Sequence, residues 1–188
     1  MLIGVVGLNG SGKDTVAKYL VDNYGFLHKD LGQEIRDMLK STGSDYLDRN
    51  AMIELANEMR QKFGFGYWCR TAIESTQSKN IAITSIRNPS EVEEIKSRKG
   101  FIIEVFANRE LRFTRTVKRV KDNPGSHGDI QSFDTFKAME ERELTSKDPS
   151  KQQLLKCIDM ADYRLDNNGT FKQLHMQIKE LYRRMKKT

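Results

Sequence analysis

Short apolar runs alternate with longer amphipathic segments along this chain. Four runs predict buried strands, at Leu2–Val6, residues 81–86, Phe101–Phe106 and Tyr163–Asp166, and a weaker fifth lies near residues 26–28. The segments between them carry apolar residues at steps of three and four, which predicts helices. Alternating strands and helices indicate an α/β fold in which a parallel sheet is covered by helices on both faces.

Glycines and capping-box pairs in the sequence predict where these helices end and begin. Glycines that are expected to end helices are Gly25, Gly43, Gly64 and Gly100. Capping-box spacing, which predicts where a helix starts, joins Ser90 to Glu93, Ser150 to Gln153 and Thr170 to Gln173. In the last predicted helix an apolar stripe is expected to face the core, and it comprises Phe171, Leu174, Ile178, Leu181 and Met185.

A glycine-rich segment follows the first strand and precedes a helix: Gly7-Leu8-Asn9-Gly10-Ser11-Gly12-Lys13-Asp14-Thr15, here called the phosphate loop. Four residues separate Gly7 from Gly12 and a lysine follows, which is the spacing of a loop that binds phosphate. Glycines let backbone N–H groups approach phosphate oxygens, and the following helix adds the positive end of its dipole. We therefore expect this loop to bind a nucleotide, with Lys13 reaching the outer phosphates.

One residue departs from the usual pattern of this loop. The lysine is normally followed by Ser or Thr, whose hydroxyl binds Mg²⁺, but here Asp14 follows and Thr15 comes next. A carboxylate is also a ligand for a hard cation. Asp14 and Thr15 are therefore the expected metal ligands.

Composition limits the other possibilities. The 188 residues predict one domain, and 37% hydrophobic and 31% charged residues are ordinary for a soluble protein. No apolar run approaches the ~20 residues of a membrane span, and residues 2–6 are too short for a signal peptide, so we expect a cytoplasmic protein without a membrane partner. Cys69 and Cys157 lie far apart, and His28, His127 and His175 are scattered, which predicts no zinc site.

The net charge of +6 permits a nucleic-acid partner, but no basic patch is interleaved with aromatic residues, so a pocket for anionic small molecules is favoured. The predicted helix at residues 109–120 supports such a pocket. Its apolar stripe comprises Phe113, Val117 and Val120, and the other side carries Arg112, Arg115 and Arg119. These arginines indicate either a solvated face or groups that sandwich an adenine and reach a transferred phosphate.

Further arginines follow the predicted strands and helices. Arg87 comes just after the strand at residues 81–86, at the sheet edge where open parallel sheets bind ligands. Arg36 follows the weak strand, and Arg60 and Arg70 flank the segment from Gly64 to Trp68. Many such cations suit phosphoryl transfer, because its catalysis is mostly positioning and charge neutralisation.

Two further features have two interpretations each. Asp30 either accepts a proton or a substrate hydrogen bond, or caps a turn. Residues 121–129 hold several turn formers and almost no apolar side chain, and they precede a helical stretch that contains Arg142. We expect a mobile lid there, the alternative being a disordered loop.

Four segments resemble the small P-loop kinases of the nucleoside monophosphate kinase group, over nearly the whole chain: residues 7–15, 32–36, 83–87 and 161–170. The Gly-Lys-Asp-Thr variant is similar to that of bacteriophage deoxynucleoside monophosphate kinases and phosphomevalonate kinases. The order of segments also resembles that of archaeal proteins related to dephospho-CoA kinase and adenylate kinase. Relatives often carry an acid near Thr84 and Ser85, and the hydroxyls here put more weight on Asp14 as the metal ligand.

The resemblance implies a three-layer P-loop NTPase fold with a mostly parallel five-stranded sheet, a helical segment that binds the monophosphate, and a lid. In one domain the core would comprise residues 1–29, 80–120 and 150–188, with the acceptor segment at 30–79 and the lid at 121–149. The acceptor would be held by Arg36, Arg60, Arg70 and Arg87. Asp30, on the position argued above, is a further candidate for contact with the substrate. The donor would be covered by Arg115, Arg119 and Arg142, with Asn168 and Gly169 against the adenine.

The expected activity is ATP- and Mg²⁺-dependent phosphoryl transfer to a small phosphorylated acceptor, most simply a (deoxy)nucleoside monophosphate. The residues expected to act on the transferred group are Lys13, Arg87, Arg115, Arg119 and Arg142. The alternatives are a dephospho-CoA kinase-type activity and a nucleotide switch or ATPase. Guanine-specific switches have little support, because the nearest base-reading segment, Thr145-Ser146-Lys147-Asp148, misplaces the lysine.

Overall fold

The computed structural model describes residues 1–122 and 132–187. Within these ranges the chain forms five strands: β1 (Leu2–Val6), β2 (Leu27–Asp30), β3 (Ile81–Thr84), β4 (Phe101–Phe106) and β5 (Tyr163–Asp166). They lie in the spatial order β2-β3-β1-β4-β5, and every pairing between these described strands is parallel. The predicted α/β class is confirmed, with an all-parallel sheet in place of a mostly parallel one.

Nine helices cover this sheet in the described ranges: α1 (Lys13–Tyr24), α2 (Leu31–Ser41), α3 (Arg49–Phe63), α4 (Tyr67–Glu74), α5 (Pro89–Ser97), α6 (Arg109–Asp122), α7 (Phe133–Leu144), α8 (Leu154–Asp159) and α9 (Phe171–Met185). Successive side chains of β1 point to opposite faces, so Ile3 and Val5 pack with Leu174 and Ile178 of α9. Val6 packs on the other face, with the helices that include α2 and α5. The core is therefore two apolar layers separated by the sheet.

The predicted strand positions hold with small shifts. β1, β4 and β5 have the predicted bounds, whereas β3 ends at Thr84 and the weak strand runs from Leu27 to Asp30. The early end of β3 has a backbone cause, because Ser85 adopts a positive φ of 61°, which a non-glycine residue rarely adopts and which breaks the extended ladder.

One of the three predicted capping boxes is present at a helix start. Thr170 and Gln173 form the predicted capping box of α9. The prediction at Ser90 is wrong, since Asn88 caps α5 with Glu91 and Pro89 occupies the first turn, where its missing N–H costs nothing. The prediction at Ser150 is also wrong, because α8 begins after Gln153 and no side chain caps it.

Helix ends follow the predicted glycines approximately. Gly25 and Gly64 are the C-caps of α1 and α3. Gly43 comes one residue after the C-cap of α2, and Gly100 two residues after that of α5.

The apolar stripe of α9 is confirmed at four positions and wrong at the first. Leu174, Ile178, Leu181 and Met185 are buried, whereas Phe171 is 69% exposed. Phe171 is the first residue of the helix, so its ring extends beyond the layer that the rest of the stripe covers.

Of the predicted lid, residues 123–131 and with them His127 lie outside the described residues. The rest of that segment contains α7, which starts at a Ser132 cap. No helix in the described ranges is long and apolar enough to cross a membrane.

Candidate functional site

A cavity of about 700 Å³ opens at the carboxyl edge of the sheet, above β1 and β3. This is the edge where open parallel sheets bind ligands, since the strand order reverses its direction beside β1. One end of the cavity is the phosphate loop, and the other is formed by α2 and α3. Predicted site residues that line it are Asn9, Gly10, Gly12, Lys13, Asp14, Thr15, Asp30, Arg36, Arg60, Arg87, Arg115 and Arg119.

The phosphate loop is held from below by close packing that only glycine permits. Gly12 has a φ of 101°, and a Cβ there would lie 2.3 Å from Nδ2 of Asn167. That amide donates to the carbonyl of Ser11 at 2.7 Å, so Asn167 at the end of β5 fastens the loop. Gly7 lies at the base of the loop, against the carbonyl of Val105. Gly7 and Ser11 thus shape the loop without lining the cavity.

Lys13 is the first residue of α1, and its side chain is buried under the loop. It is 7% exposed, and its Nζ donates to the carbonyl of Leu8 at 3.1 Å. Burial, and next the positive charge of Arg87, lower the pKa of Lys13 to about 7. An anion beside Nζ would oppose both effects, so this position favours a negatively charged ligand.

Two arginines of α6 bring unused donors to the same end. Nε and Nη2 of Arg119 and Nη1 of Arg115 are buried without a hydrogen-bond partner in the described part of the chain. Arg115 also donates through Nη2 to the carbonyl of Asn167 at 2.9 Å. Burial lowers the pKa of both guanidinium groups. Orphaned buried donors are costly, and phosphate oxygens would satisfy them.

Arg112 does not join this pair, which corrects both interpretations of the arginine face of α6. It is 3% exposed and lies under the phosphate loop. Its guanidinium donates to the carbonyls of Ala107 at 3.0 Å and Asn9 at 3.2 Å and pairs with Glu140 of α7. Arg112 therefore supports the loop, and it has no free side facing an adenine or the solvent.

The opposite end of the cavity combines guanidinium groups with an apolar wall. Arg36 of α2, Arg49 of α3 and Arg87 after β3 line it. Burial lowers the pKa of Arg87, and burial followed by the charge of Arg87 lowers that of Arg49. The apolar wall beside them is formed by Ile35, Tyr46, Leu47, Met52, Ile53 and Ala56. This end therefore combines positive charge with an apolar surface.

A carboxylate lies where the sequence indicated that one was missing. Asp30 ends β2 and pairs in register with Thr84, so it lies at the same edge as the hydroxyls of β3. Its Oδ1 accepts from the backbone N–H of Gly32 at 3.0 Å, which makes it the cap of α2 as well as a residue of the cavity. Both interpretations of Asp30 thus agree with its position. Thr84 itself is buried and hydrogen-bonded to His28 at 2.8 Å.

Two predicted acceptor ligands are engaged elsewhere. Arg60 touches the cavity but is buried, and its Nε and Nη2 both bind Oε1 of Glu91, at 3.1 and 2.8 Å. Arg70 does not line the cavity; it pairs with Glu94 at 2.9 Å and donates to the carbonyl of Phe63. Both arginines stabilise the packing of helices α3 to α5.

Three predicted donor ligands also lie off the cavity. Arg142 is exposed on α7, and Gly169 is exposed after β5. Asn168 accepts from the backbone N–H of Asn108 at 2.7 Å. The cavity instead reaches their neighbours Asn167 and Phe171.

The expected metal ligands lie at the phosphate-loop end of the cavity. Asp14 and Thr15 lie in the first turn of α1 and both line the cavity, where they offer the oxygen donors that Mg²⁺ prefers. In the described ranges no group of three or more His, Cys, Asp or Glu side chains forms a metal cluster.

Sequence reasoning missed the apolar wall and several other cavity residues, four of which bear directly on the site. Arg49, Glu143 and Phe171 line the cavity, and so does Asn167, whose amide fastens the phosphate loop. Arg49 and Glu143 carried no local signal, because a charged residue at a helix end is ordinary. Phe171 had a signal that pointed to the core, as described above.

Comparison with known proteins agrees with this geometry. Residues 3–140 match the family described as AAA domain. The chain is 24% identical to a UPF0200 protein of Aeropyrum pernix, over 97% of this chain and 92% of that protein. It is 26% identical to a protein of Acanthamoeba polyphaga mimivirus named "Putative deoxynucleotide monophosphate kinase", over 95% and 94% of the two chains. Among solved structures, a shikimate kinase from Bacteroides thetaiotaomicron superimposes with a TM-score of 0.60 at 15% identity, over 99% of this chain and 98% of that one.

Proposed function

Because the chain belongs to the AAA domain family and has the fold of P-loop kinases, we propose that it transfers the terminal phosphoryl group of ATP to a (deoxy)nucleoside monophosphate. One observation carries the proposal. A single cavity joins a cationic phosphate loop to a second cationic end with an apolar wall. A binding module for one nucleotide has no use for the second end, whereas a kinase needs a place for both substrates.

The donor end supports ATP as the phosphoryl donor. Backbone N–H groups of the phosphate loop and Nζ of Lys13 would bind the β- and γ-phosphates. The orphaned donors of Arg115 and Arg119 would neutralise charge on the transferred group. Phe171 lines the cavity and is 69% exposed, so its ring is available for an adenine to stack on.

Mg²⁺ fits the donor set of Asp14 and Thr15. Asp14 and Thr15 would hold the ion, whose positive charge would help to neutralise the phosphates during transfer. The role of the two side chains is to keep oxygen donors at the foot of α1, beside Lys13.

The acceptor end supports a nucleotide as the acceptor. Arg36, Arg49 and Arg87 provide charge for a phosphate, and the wall that includes Tyr46 and Leu47 provides area for a base. An oxygen of the acceptor phosphate would attack the γ-phosphorus while the bond to the β–γ bridging oxygen breaks, and ADP leaves. This oxygen is already ionised at neutral pH, so the step needs no general base.

A dephospho-CoA kinase-type reaction is the alternative that one observation favours. Its acceptor atom is a hydroxyl, which must lose a proton, and the Asp30 carboxylate lies in the cavity at the edge of β2. Asp30→Asn separates the two reactions. It should abolish transfer to a hydroxyl and leave transfer to a phosphate oxygen largely intact.

A coupled ADP-release screen tests the proposal. The acceptors are ribo- and deoxynucleoside monophosphates, dephospho-CoA, phosphomevalonate and shikimate, with a reaction lacking acceptor as the baseline. We expect ADP release that rises with one or more nucleoside monophosphates. Release that is the same with and without every acceptor would contradict the proposal and indicate an ATPase.

A further inference from the structure

Glu143 is an acid enclosed by the cations of the acceptor end. It lies in the last turn of α7 and is 4% exposed, yet it lines the cavity. Its Oε1 pairs with Arg49 at the start of α3, and its Oε2 lies 3.5 Å from Nε of Arg87 after β3. Three separate elements thus meet at one carboxylate.

The two guanidinium groups need an anion between them. Burial lowers the pKa of Arg49 most, and the charges of Arg87 and then Arg36 lower it further, so these cations repel one another across a partly desolvated cavity. A carboxylate between two guanidinium groups makes the same kind of charge-assisted contact that a phosphate makes. Two arginines that converge on one anion are also the arrangement with which proteins bind phosphate monoesters.

We propose that Arg49 and Arg87 form the binding site for the acceptor's phosphate, and that Glu143 occupies this site until the acceptor displaces it. The inference rests on the proposed function for the identity of the ligand. It assigns a role to Arg49 and Glu143, which the sequence did not single out. Acceptor binding is then an exchange of one anion for another, so both guanidinium groups are paired before and after it.

The rest of α7 is anchored independently, which lets the side chain of Glu143 move by itself. Glu140, one turn earlier, pairs with Arg109 and with the buried Arg112. Those contacts lie on the phosphate-loop side of the molecule and do not involve the acceptor end. Rotation of Glu143 out of the cavity therefore does not require α7 to leave its place.

The test is a titration of the protein with inorganic phosphate, in which isothermal titration calorimetry measures the affinity. The protein is first saturated with an ATP analogue that has a nonhydrolysable β–γ bridge, so that the phosphate loop is filled. Glu143→Gln removes the competing charge and should bind phosphate about tenfold more tightly than the unaltered protein. Arg49→Gln should bind it about tenfold more weakly, because one of the two guanidinium groups is lost.

Glu141→Gln is the matched control, since Glu141 is an exposed acid of the same helix that does not line the cavity. It should bind phosphate like the unaltered protein. Thermal unfolding supplies a second readout. Without its internal anion Glu143→Gln should melt at a lower temperature, and added phosphate should raise its melting temperature more than that of the unaltered protein.

Unchanged or weaker phosphate binding by Glu143→Gln would overturn the inference. Glu143 would then either hold the two arginines in position without competing with phosphate or bind the acceptor directly. If that variant does not fold, Glu143→Asp replaces it. The shorter acid cannot reach both guanidinium groups, so phosphate should bind more tightly, and no tightening would overturn the inference equally. Neither titration depends on turnover, so failure of the ADP-release screen would contradict the proposed function alone.

Discussion

The two ends of the cavity are built in different ways. The proposed donor end consists of one contiguous loop, whose backbone N–H groups would be its main ligands, together with Lys13 and arginines of α6. The acceptor end has no such loop. Its cations come from α2, α3 and the segment after β3, and its enclosed acid comes from α7.

We expect this difference to separate the residues needed for phosphoryl transfer from those that select the acceptor. In our proposal backbone N–H groups hold the reacting phosphates, and the loop depends on a few glycines that cannot change without steric conflict. Side chains from several helices can be replaced one at a time, so the acceptor end can be adapted to other substrates on the same fold. Damage to the donor end should therefore lower kcat, and damage to the acceptor end should raise the KM of the acceptor.

Lys13→Ala tests the donor end with the largest expected effect. Loss of the cation beside the transferred phosphates should lower kcat by roughly a thousandfold, the scale of losing a transition-state charge. ADP release with the best acceptor of the screen measures it. Lys18→Ala is the control, since Lys18 is an exposed lysine of the same helix that pairs with Asp22. Retention of normal turnover by Lys13→Ala would show that the loop does not act in phosphoryl transfer.

Arg119→Gln should lower kcat by about a hundredfold, because one preorganised donor to the transferred group is lost. The KM of the acceptor should stay within twofold or so, since Arg119 lies at the donor end. Steady-state kinetics with each substrate varied in turn measure both constants, and Lys118→Gln, an exposed neighbour, is the control. A change confined to the acceptor KM would place Arg119 at the other end.

Arg36→Gln tests the acceptor end and should raise the KM of the acceptor by about tenfold, the loss of one charge-assisted contact. The KM of ATP should not change, because Arg36 belongs to α2, at the acceptor end of the cavity. The control is Arg183→Gln, an exposed arginine of α9 outside the cavity. Equal effects on both substrates would contradict the division between the two ends.

The smallest expected effect is a proton taken up when ATP binds. Above a pH of about 7 Lys13 is largely neutral in the free protein, and phosphate favours its charged form. Binding should therefore take up as much as one proton between pH 7 and 10, and affinity should fall as the pH rises through that range. Calorimetry in buffers of different ionisation enthalpy measures the uptake, which should vanish in Lys13→Met. Proton release on binding would contradict the assigned pKa.

The same pKa has a consequence for the free protein's stability. The unfolded chain holds the Lys13 proton up to its ordinary pKa of 10.5, whereas the folded chain loses it near 7. The unfolded state binds more protons between these values, so the contribution of Lys13 to the free energy of unfolding rises with pH across that window.

The donor end was predictable from the sequence because its signals are local. The apolar run of β1, the glycine spacing and the lysine lie within thirteen residues and need no knowledge of the rest of the fold. The start of α5 is also encoded locally. The Ser-x-x-Glu pattern predicts the cap at Ser90, but an asparagine followed by a proline is the stronger signal, and Asn88 is the actual cap.

The acceptor end was only partly predictable, since packing decides which arginines reach it. Arg36, Arg49 and Arg60 all lie on helices of the same segment, and their sequence context does not distinguish them. Arg60 forms an ion pair with Glu91, whereas Arg49 and Arg87 both pair with Glu143. The partners come from residues about thirty to ninety positions away in the chain, a separation at which sequence patterns carry no information about contact.

The amide that fastens the phosphate loop comes late in the chain. Asn167 holds the Ser11 carbonyl across 156 positions of sequence. During synthesis the ribosome therefore releases the glycine-rich segment long before the side chain that secures it is made. The nucleotide pocket can mature only once the final strand has docked on the sheet, so a truncated product lacking that strand should bind ATP poorly even though its motif is intact.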